Sequence, residues 1–292
     1  MPAEAANPSG LSAKLDKKRK RQAEESSKKA KAGVAPSGNA DGPSNKKRKN
    51  GKPKPNKKGG KDKTEDAPQK EQRDTKQTET KGGIDEAIGK MDGRLLADHF
   101  MQKAKRHNKE LTAVELSDLS VPESSFLDTS SFDSPRQLEN LPAFLKAFSP
   151  KGSDLSKPSV EKGTPHTLVV SPSGLRAADA VRALRTFQTK ESPIGKLFAK
   201  HIKLEEAKQF LDRSRIAIGG GTPARISDLI TAGSLKLDEL QRIVIDGSYV
   251  DQKQRGIFDM KETHLPLLQL LTRPEFRERY GTKEKRIQIL VF

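Results

Sequence analysis

The chain has 292 residues, and its 56 Lys/Arg against 39 Asp/Glu leave a net charge of +17. It contains no cysteine, which excludes disulfides and thiolate metal sites and is compatible with a reducing cytosolic or nuclear compartment. No run approaches the roughly 20 apolar residues of a membrane span, and the N-terminus lacks the apolar core of a secretory signal, so neither membrane insertion nor secretion is expected.

Composition changes sharply near Gly82. Through that residue there are 23 Lys/Arg and 11 Asp/Glu, and the large aliphatics are Leu11, Leu15 and Val34. Residues 1–82 therefore cannot bury enough apolar surface to offset the entropy of ordering them, and a disordered basic arm is expected. Within it, Lys17, Lys18, Arg19, Lys20 and Arg21 form one cluster and Lys46, Lys47, Arg48 and Lys49 a second. Like charge packed this densely attracts polyanions, so a nuclear address or a phosphate-binding arm is expected, with a merely solvated tail as the plainer alternative. The prolines between Lys52 and Lys58 favour an extended chain that could follow a phosphate backbone. Residues 83–292 are long enough for one α/β domain.

In chain order, apolar clustering around Leu95, Leu96, Phe100 and Met101 predicts a helix over Ile84–Ala104. A loop-rich stretch follows, then a short strand over Ser124–Asp128 and a helix over Pro142–Phe148 with proline at its first position. Ser149–Gly163 is rich in Ser, Lys, Pro and Gly and reads as a surface loop. Thr167–Ser171 is a continuously apolar strand, as expected of a parallel strand buried on both faces. Leu175, Ala178, Val181, Leu184 and Phe187 recur at threes, the stripe of an amphipathic helix, and Arg176, Arg182 and Arg185 avoid it. A further helix is expected over Ile194–Leu211, a strand over Ile216–Ile218, and a helix from Pro223 with Thr222 as its N-cap. Strand Arg242–Asp246, helical turns through Leu265–Tyr280 and a last strand Arg286–Phe292 complete the chain. Such alternation with short loops predicts a parallel sheet wrapped by helices.

Three strand ends carry recognisable letters. Ser171-Pro172-Ser173 precedes Gly221-Thr222-Pro223-Ala224-Arg225 by 51 residues proline to proline, and Pro223 precedes Asp246 by 23. That order and spacing resemble the first RecA-like lobe of DEAD-box RNA helicases, whose matching strands end in Pro-Thr-Arg-Glu-Leu, Thr-Pro-Gly-Arg and Asp-Glu-Ala-Asp. The resemblance implies a single-lobe, three-layer RecA-like α/β domain. It also implies RNA-phosphate contacts by Pro172, Ser173, Gly221, Thr222, Pro223 and Arg225, with Arg176 near enough to join them. A helix start preceded by glycines presents free N–H groups to an anion, which fits that role. A merely well-capped helix is the plainer alternative.

The catalytic letters are different. An NTPase of this kind needs a Gly-rich phosphate cradle with a Lys and a Ser/Thr. By resemblance the cradle should lie in Asp128–Leu138, which contains neither Gly nor Lys. Gly247 stands where the water-activating Glu belongs, and a lone Asp246 at a strand end reads more readily as a satisfied loop carboxylate than as a metal ligand. His99, His107, His166, His201 and His264 show no ligand spacing. No catalytic residue, metal, cofactor or small-molecule substrate is therefore expected.

Further strings, Leu96-Ala97-Asp98-His99-Phe100, Glu115-Leu116-Ser117-Asp118-Leu119, Pro122-Glu123-Ser124-Ser125-Phe126, Gly174–Asp179 and Leu271–Phe276, resemble the CMS-type family. That resemblance implies a non-enzymatic nuclear and nucleolar factor of small-subunit assembly. Its expected partners are pre-ribosomal RNA and the proteins of the snoRNP-containing 90S pre-ribosome. Two rival readings stay open: a DNA-binding chromatin or replication factor using the arm, and a Rossmann-like methyltransferase using Gly219–Gly221. The late position of those glycines weighs against the second.

Overall fold

The computed structural model describes residues 83–292. The basic clusters Lys17–Arg21 and Lys46–Lys49, and the expected disorder of residues 1–82, lie outside the described residues.

Five parallel strands form the frame: β2 (Thr167–Val170), β3 (Gly195–Leu197), β4 (Ile218–Gly221), β5 (Arg242–Ile245) and β7 (Gln288–Val291), in the spatial order β3-β4-β2-β5-β7. A separate antiparallel pair joins β1 (Gly83–Ile84) to β6 (Tyr249–Val250). Alternation along each strand divides the core in two. Leu168, Val170, Ile243, Ile245, Ile289 and Val291 enter one cluster, and Val169, Val244, Leu290 and Ile218 enter the other.

The first cluster is covered by α1 (Gly93–His107), α5 (Leu204–Arg213), α6 (Pro223–Thr231) and α7 (Lys261–Leu271); the second by α3 (Leu141–Ala147) and α4 (Gly174–Ala183). Helices on both faces of a parallel sheet make the three-layer α/β sandwich expected of a RecA-like lobe. Two short helices complete the set: α2 (Ala113–Asp118), closed by a Thr112/Glu115 capping box, and α8 (Pro274–Arg277).

Several elements differ from the sequence expectation, each for a local reason. The helix expected from Ile84 starts only at Gly93, because the Asp92 carboxylate caps it by accepting from the Leu95 N–H at 2.8 Å; Ile84 instead pairs with Tyr249. The expected strand over Ser124–Asp128 is a 3₁₀ turn, Glu123–Ser125, followed by a single parallel bridge from Phe126 to Ile289. The expected helix over Ile194–Leu211 is divided into edge strand β3 and helix α5. Gly195 and Leu197 are buried while Lys196 is exposed, a period of two, and Glu206 starts α5 by accepting from the Lys203 N–H at 3.1 Å. The stripe assigned to α4 is rotated: Ala177, Ala180 and Val181 are buried, while Leu175 is 46% exposed.

Candidate functional site

Parallel pairing brings the three motif loops to one edge of the sheet. Val170 is in register with Gly221 on one side and Ile245 on the other, so Ser171, Thr222 and Asp246 follow at the same level. The Ser171 N–H donates to the Gly221 carbonyl at 2.8 Å and the Asp246 N–H to the Val170 carbonyl at 2.9 Å. Pro172 and Pro223 are buried beneath this edge, whereas Ser173 is exposed and caps α4, its Oγ accepting from the Arg176 N–H at 3.2 Å.

The glycine-fed loop is built differently from its expectation. Gly219, Gly220 and Gly221 are buried residues of β4 rather than a loop. A Cβ on Gly221 would stand 2.6 Å from Leu197 Cβ, so glycine lets edge strand β3 close against β4. That packing removes the methyl-donor loop on which the methyltransferase reading depended. Thr222 occupies the N-cap of α6 without a side-chain hydrogen bond, and its N–H is already donated to the Leu197 carbonyl at 3.1 Å. The N–H groups of Ala224 and Arg225 lie in the first helical turn, where no intrahelical acceptor exists. Arg225 is half-buried and its Nη1 donates to the Ile202 carbonyl at 3.1 Å, tying down the β3–α5 connection. In that connection His201 has a φ of 60°, and the exposed Lys200 approaches the start of α4, within 3.1 Å of where a Gly174 Cβ would stand.

Arg176 does not project towards this open part of the edge. Its guanidinium grips Asp246 in a fork, Nε to Oδ2 at 2.8 Å and Nη2 to Oδ1 at 3.0 Å, and lies 4.1 Å from the Tyr249 ring centroid. The side chains are 11% and 2% exposed. Asp246 is thus a satisfied carboxylate whose charge is answered by an arginine 70 residues away. The next residue, Gly247, has no room for a side chain, since its Cβ would stand 2.6 Å from Val291 Cγ1.

The segment Asp128–Leu138 holds a residue that the sequence did not single out. Arg136, 4% exposed, reaches back into the loop and donates to the Val291, Gly89 and Thr129 carbonyls and to Thr129 Oγ1. Burial pushes its guanidinium down to about 10. A phosphate cradle requires converging N–H donors; this loop is arranged around carbonyl acceptors and already contains a cation. An arginine in a stretch without glycine or lysine was the only signal available beforehand. Among the described residues, no three His, Cys, Asp or Glu side chains gather as a metal site, and no helix is long and apolar enough to cross a membrane.

Comparison with known proteins places these features in a family. A family model described as "CMS1: U3-containing 90S pre-ribosomal complex subunit" matches residues 12–292. Protein CMS1 of Chaetomium thermophilum is 50% identical over 214 residues, 73% of this chain and 85% of that protein. Protein CMSS1 of Homo sapiens is 30% identical over 194 residues, 66% and 63% of the two chains. Among solved structures, a DEAD box protein from Methanococcus jannaschii matches with 18% identity and a TM-score of 0.29, covering 45% of this chain and 32% of that one.

Proposed function

Because the chain belongs to the CMS1 family of U3-containing 90S pre-ribosomal complex subunits, we propose that it is a non-catalytic factor of small-ribosomal-subunit biogenesis. It works in the nucleus and nucleolus, docking pre-ribosomal RNA and proteins of the snoRNP-containing particle. The observation that carries the non-catalytic half is electrostatic. The two segments that resemblance matches to the Mg-ATP sites of a helicase lobe each hold an arginine, Arg136 among carbonyls and Arg176 on Asp246, which supports this reading. On this reading a lobe so filled runs no nucleotide-driven opening cycle.

For RNA, support lies in the part of the edge left open. Ser173, Lys200 and Arg225, with the two free N–H groups that start α6, offer donors and positive charge to a backbone phosphate. Pro172, Gly221, Thr222 and Pro223 shape this surface from beneath, and Arg176 drops out of the contact set. The basic arm would add sequence-independent, salt-sensitive contacts.

Arg225→Glu tests this reading by pull-down of pre-ribosomal particles from cells. Losing the bond to Ile202 costs about 1 kcal/mol, a small fall in melting temperature, while particle recovery falls several-fold and Arg225→Lys largely restores it. Equal recovery by Arg225→Glu and wild type would refute the phosphate contact. Crosslinking with sequencing of bound nucleic acid separates the reading from its DNA-binding rival, which requires chromatin fragments in place of pre-ribosomal RNA.

A further inference from the structure

A third guanidinium is buried at the opposite edge of the sheet, and no carboxylate answers it. Arg242 opens β5 and is 5% exposed. Its Nη1 donates to Ser149 Oγ and its Nη2 to Gln241 Oε1 at 3.3 Å. Those bonds engage two of the five N–H donors of a guanidinium. None of the ion pairs among the described residues includes Arg242, and burial lowers its pKa with no opposing charge. Arg176, by contrast, is neutralised and Arg136 is ringed by acceptors.

Arg242 lines a cavity of about 220 Å³ together with Asp154, Leu155, Lys157, Pro158, His166 and Glu239. His166 Nε2 is buried there without a hydrogen-bond partner, and Nδ1 lies 2.7 Å from Thr167 Oγ1. A buried guanidinium with N–H donors beyond those two bonds, facing one small cavity, suits an oxyanion. The volume lies below the ~300 Å³ at which pockets for free small molecules begin, so it suits a side chain better than a cofactor. The cavity wall also selects among anions. Asp154 and Glu239 balance Lys157 and Arg242 in formal charge, which leaves no excess positive charge for a continuous polyphosphate, whereas Leu155 and Pro158 offer apolar contact beside a single anion seated on Arg242.

We propose that this cavity anchors a single acidic side chain of a partner protein, its carboxylate seated on Arg242 and its apolar neighbours in the segment against Leu155 and Pro158. The cavity lies at the N-terminal ends of β2 and β5, whereas the candidate phosphate contacts follow the C-terminal ends. It therefore stands or falls independently of the nucleic-acid reading.

The test is an NMR titration of the full isotope-labelled chain, following the Arg242 Nε–Hε signal and the His166 ring. The probes are acetyl-Leu-Glu-Leu-amide, its Gln counterpart, inorganic phosphate and a 12-nucleotide single-stranded RNA. The glutamate peptide should move both signals and bind at least tenfold more tightly than the glutamine peptide, while phosphate and RNA leave them in place at equal concentration. Arg242→Met should abolish the response. Glu239→Lys, an exposed substitution that spares the fold, should tighten the glutamate peptide several-fold. Equal binding of the two peptides, no response to either, preferential movement by phosphate or RNA, or unchanged affinity in Glu239→Lys would each overturn the proposal.

Discussion

Asp246 offers a direct contest between a structural and a metal-binding role, because the two predict opposite changes in stability. Asp246→Asn keeps the shape, removes the charge and turns an amide NH₂ towards the Arg176 fork. The carboxylate is 2% and the guanidinium 11% exposed, so solvent replaces little of what is lost. Breaking a buried pair by removing one partner costs about 3–5 kcal/mol, and the surviving contact with Tyr249 offsets about 1–2 kcal/mol of that. A net loss of about 1–4 kcal/mol is expected, which for a domain of this size lowers the melting temperature by about 2–16 °C. Urea unfolding followed by far-UV circular dichroism should show a reduced midpoint with unchanged slope. The double variant Arg176→Met/Asp246→Leu, which removes both charges, should recover most of the loss. A ligand carboxylate awaiting Mg²⁺ behaves otherwise. If Asp246→Asn is as stable as wild type or more so, and wild type but not the variant is stabilised by Mg-ATP, the structural assignment of Asp246 is wrong.

Two further outcomes follow from the core. Gly221→Ala should force β3 away from β4 and cost about 3 kcal/mol or more, whereas Gly233→Ala, at φ 75° with open space around it, should cost only about 1–2 kcal/mol; equal losses in a urea midpoint comparison would show that the β3–β4 approach is not what requires glycine. Acid should destabilise the domain well above the carboxylate range, since burial pushes His264 down to about 3 and His166 to about 4. Both folded values lie below the unfolded value near 6.5, so the unfolded chain takes up more protons, and the stabilisation is complete above about pH 6.5 and declines as pH falls. From pH 7 to 5 each histidine should cost about 2 kcal/mol, and His264→Leu should remove about half of the slope in urea midpoints; an unaltered slope would assign the acid sensitivity to other groups.

What was legible in the sequence was whatever one strand or helix decides by itself. Leu168–Val170 of β2 and Ile243–Ile245 of β5 are uninterrupted apolar runs buried on both faces, and α6 begins at a proline whose fixed φ suits a first helical turn. β3 was illegible because Ile194, Leu197 and Ile202 mimic helical spacing, and only contact with β4 decides between the two periods. The same contact turned the glycine triplet from an expected ligand loop into strand. Leu175 was misplaced because a period of three drifts around a helix of 3.6 residues per turn. The chemistry of the site was hidden for a simpler reason. Arg176 meets Asp246 across 70 residues and Arg136 meets Val291 across 155, separations at which local patterning carries no information. The capping box of Thr112 and Glu115, by contrast, could have been read directly.

Arg136 also orders events in time. Its acceptor on Val291, and the Ile289 carbonyl to which the Leu127 N–H donates at 2.8 Å, belong to the strand that emerges last among the described elements during synthesis. Residues 126–136 therefore have only the Gly89 and Thr129 acceptors for their cation until residue 291 has been made, and the missing Val291 and Ile289 carbonyls keep that segment from docking early. The central strand β2 likewise waits for β4 and β5, some 50 and 75 residues later. Contacts of such long range slow folding and favour late, concerted assembly. Nascent chains released before β7 should be held open, and so be exposed to chaperones and proteases in a way the finished domain is not.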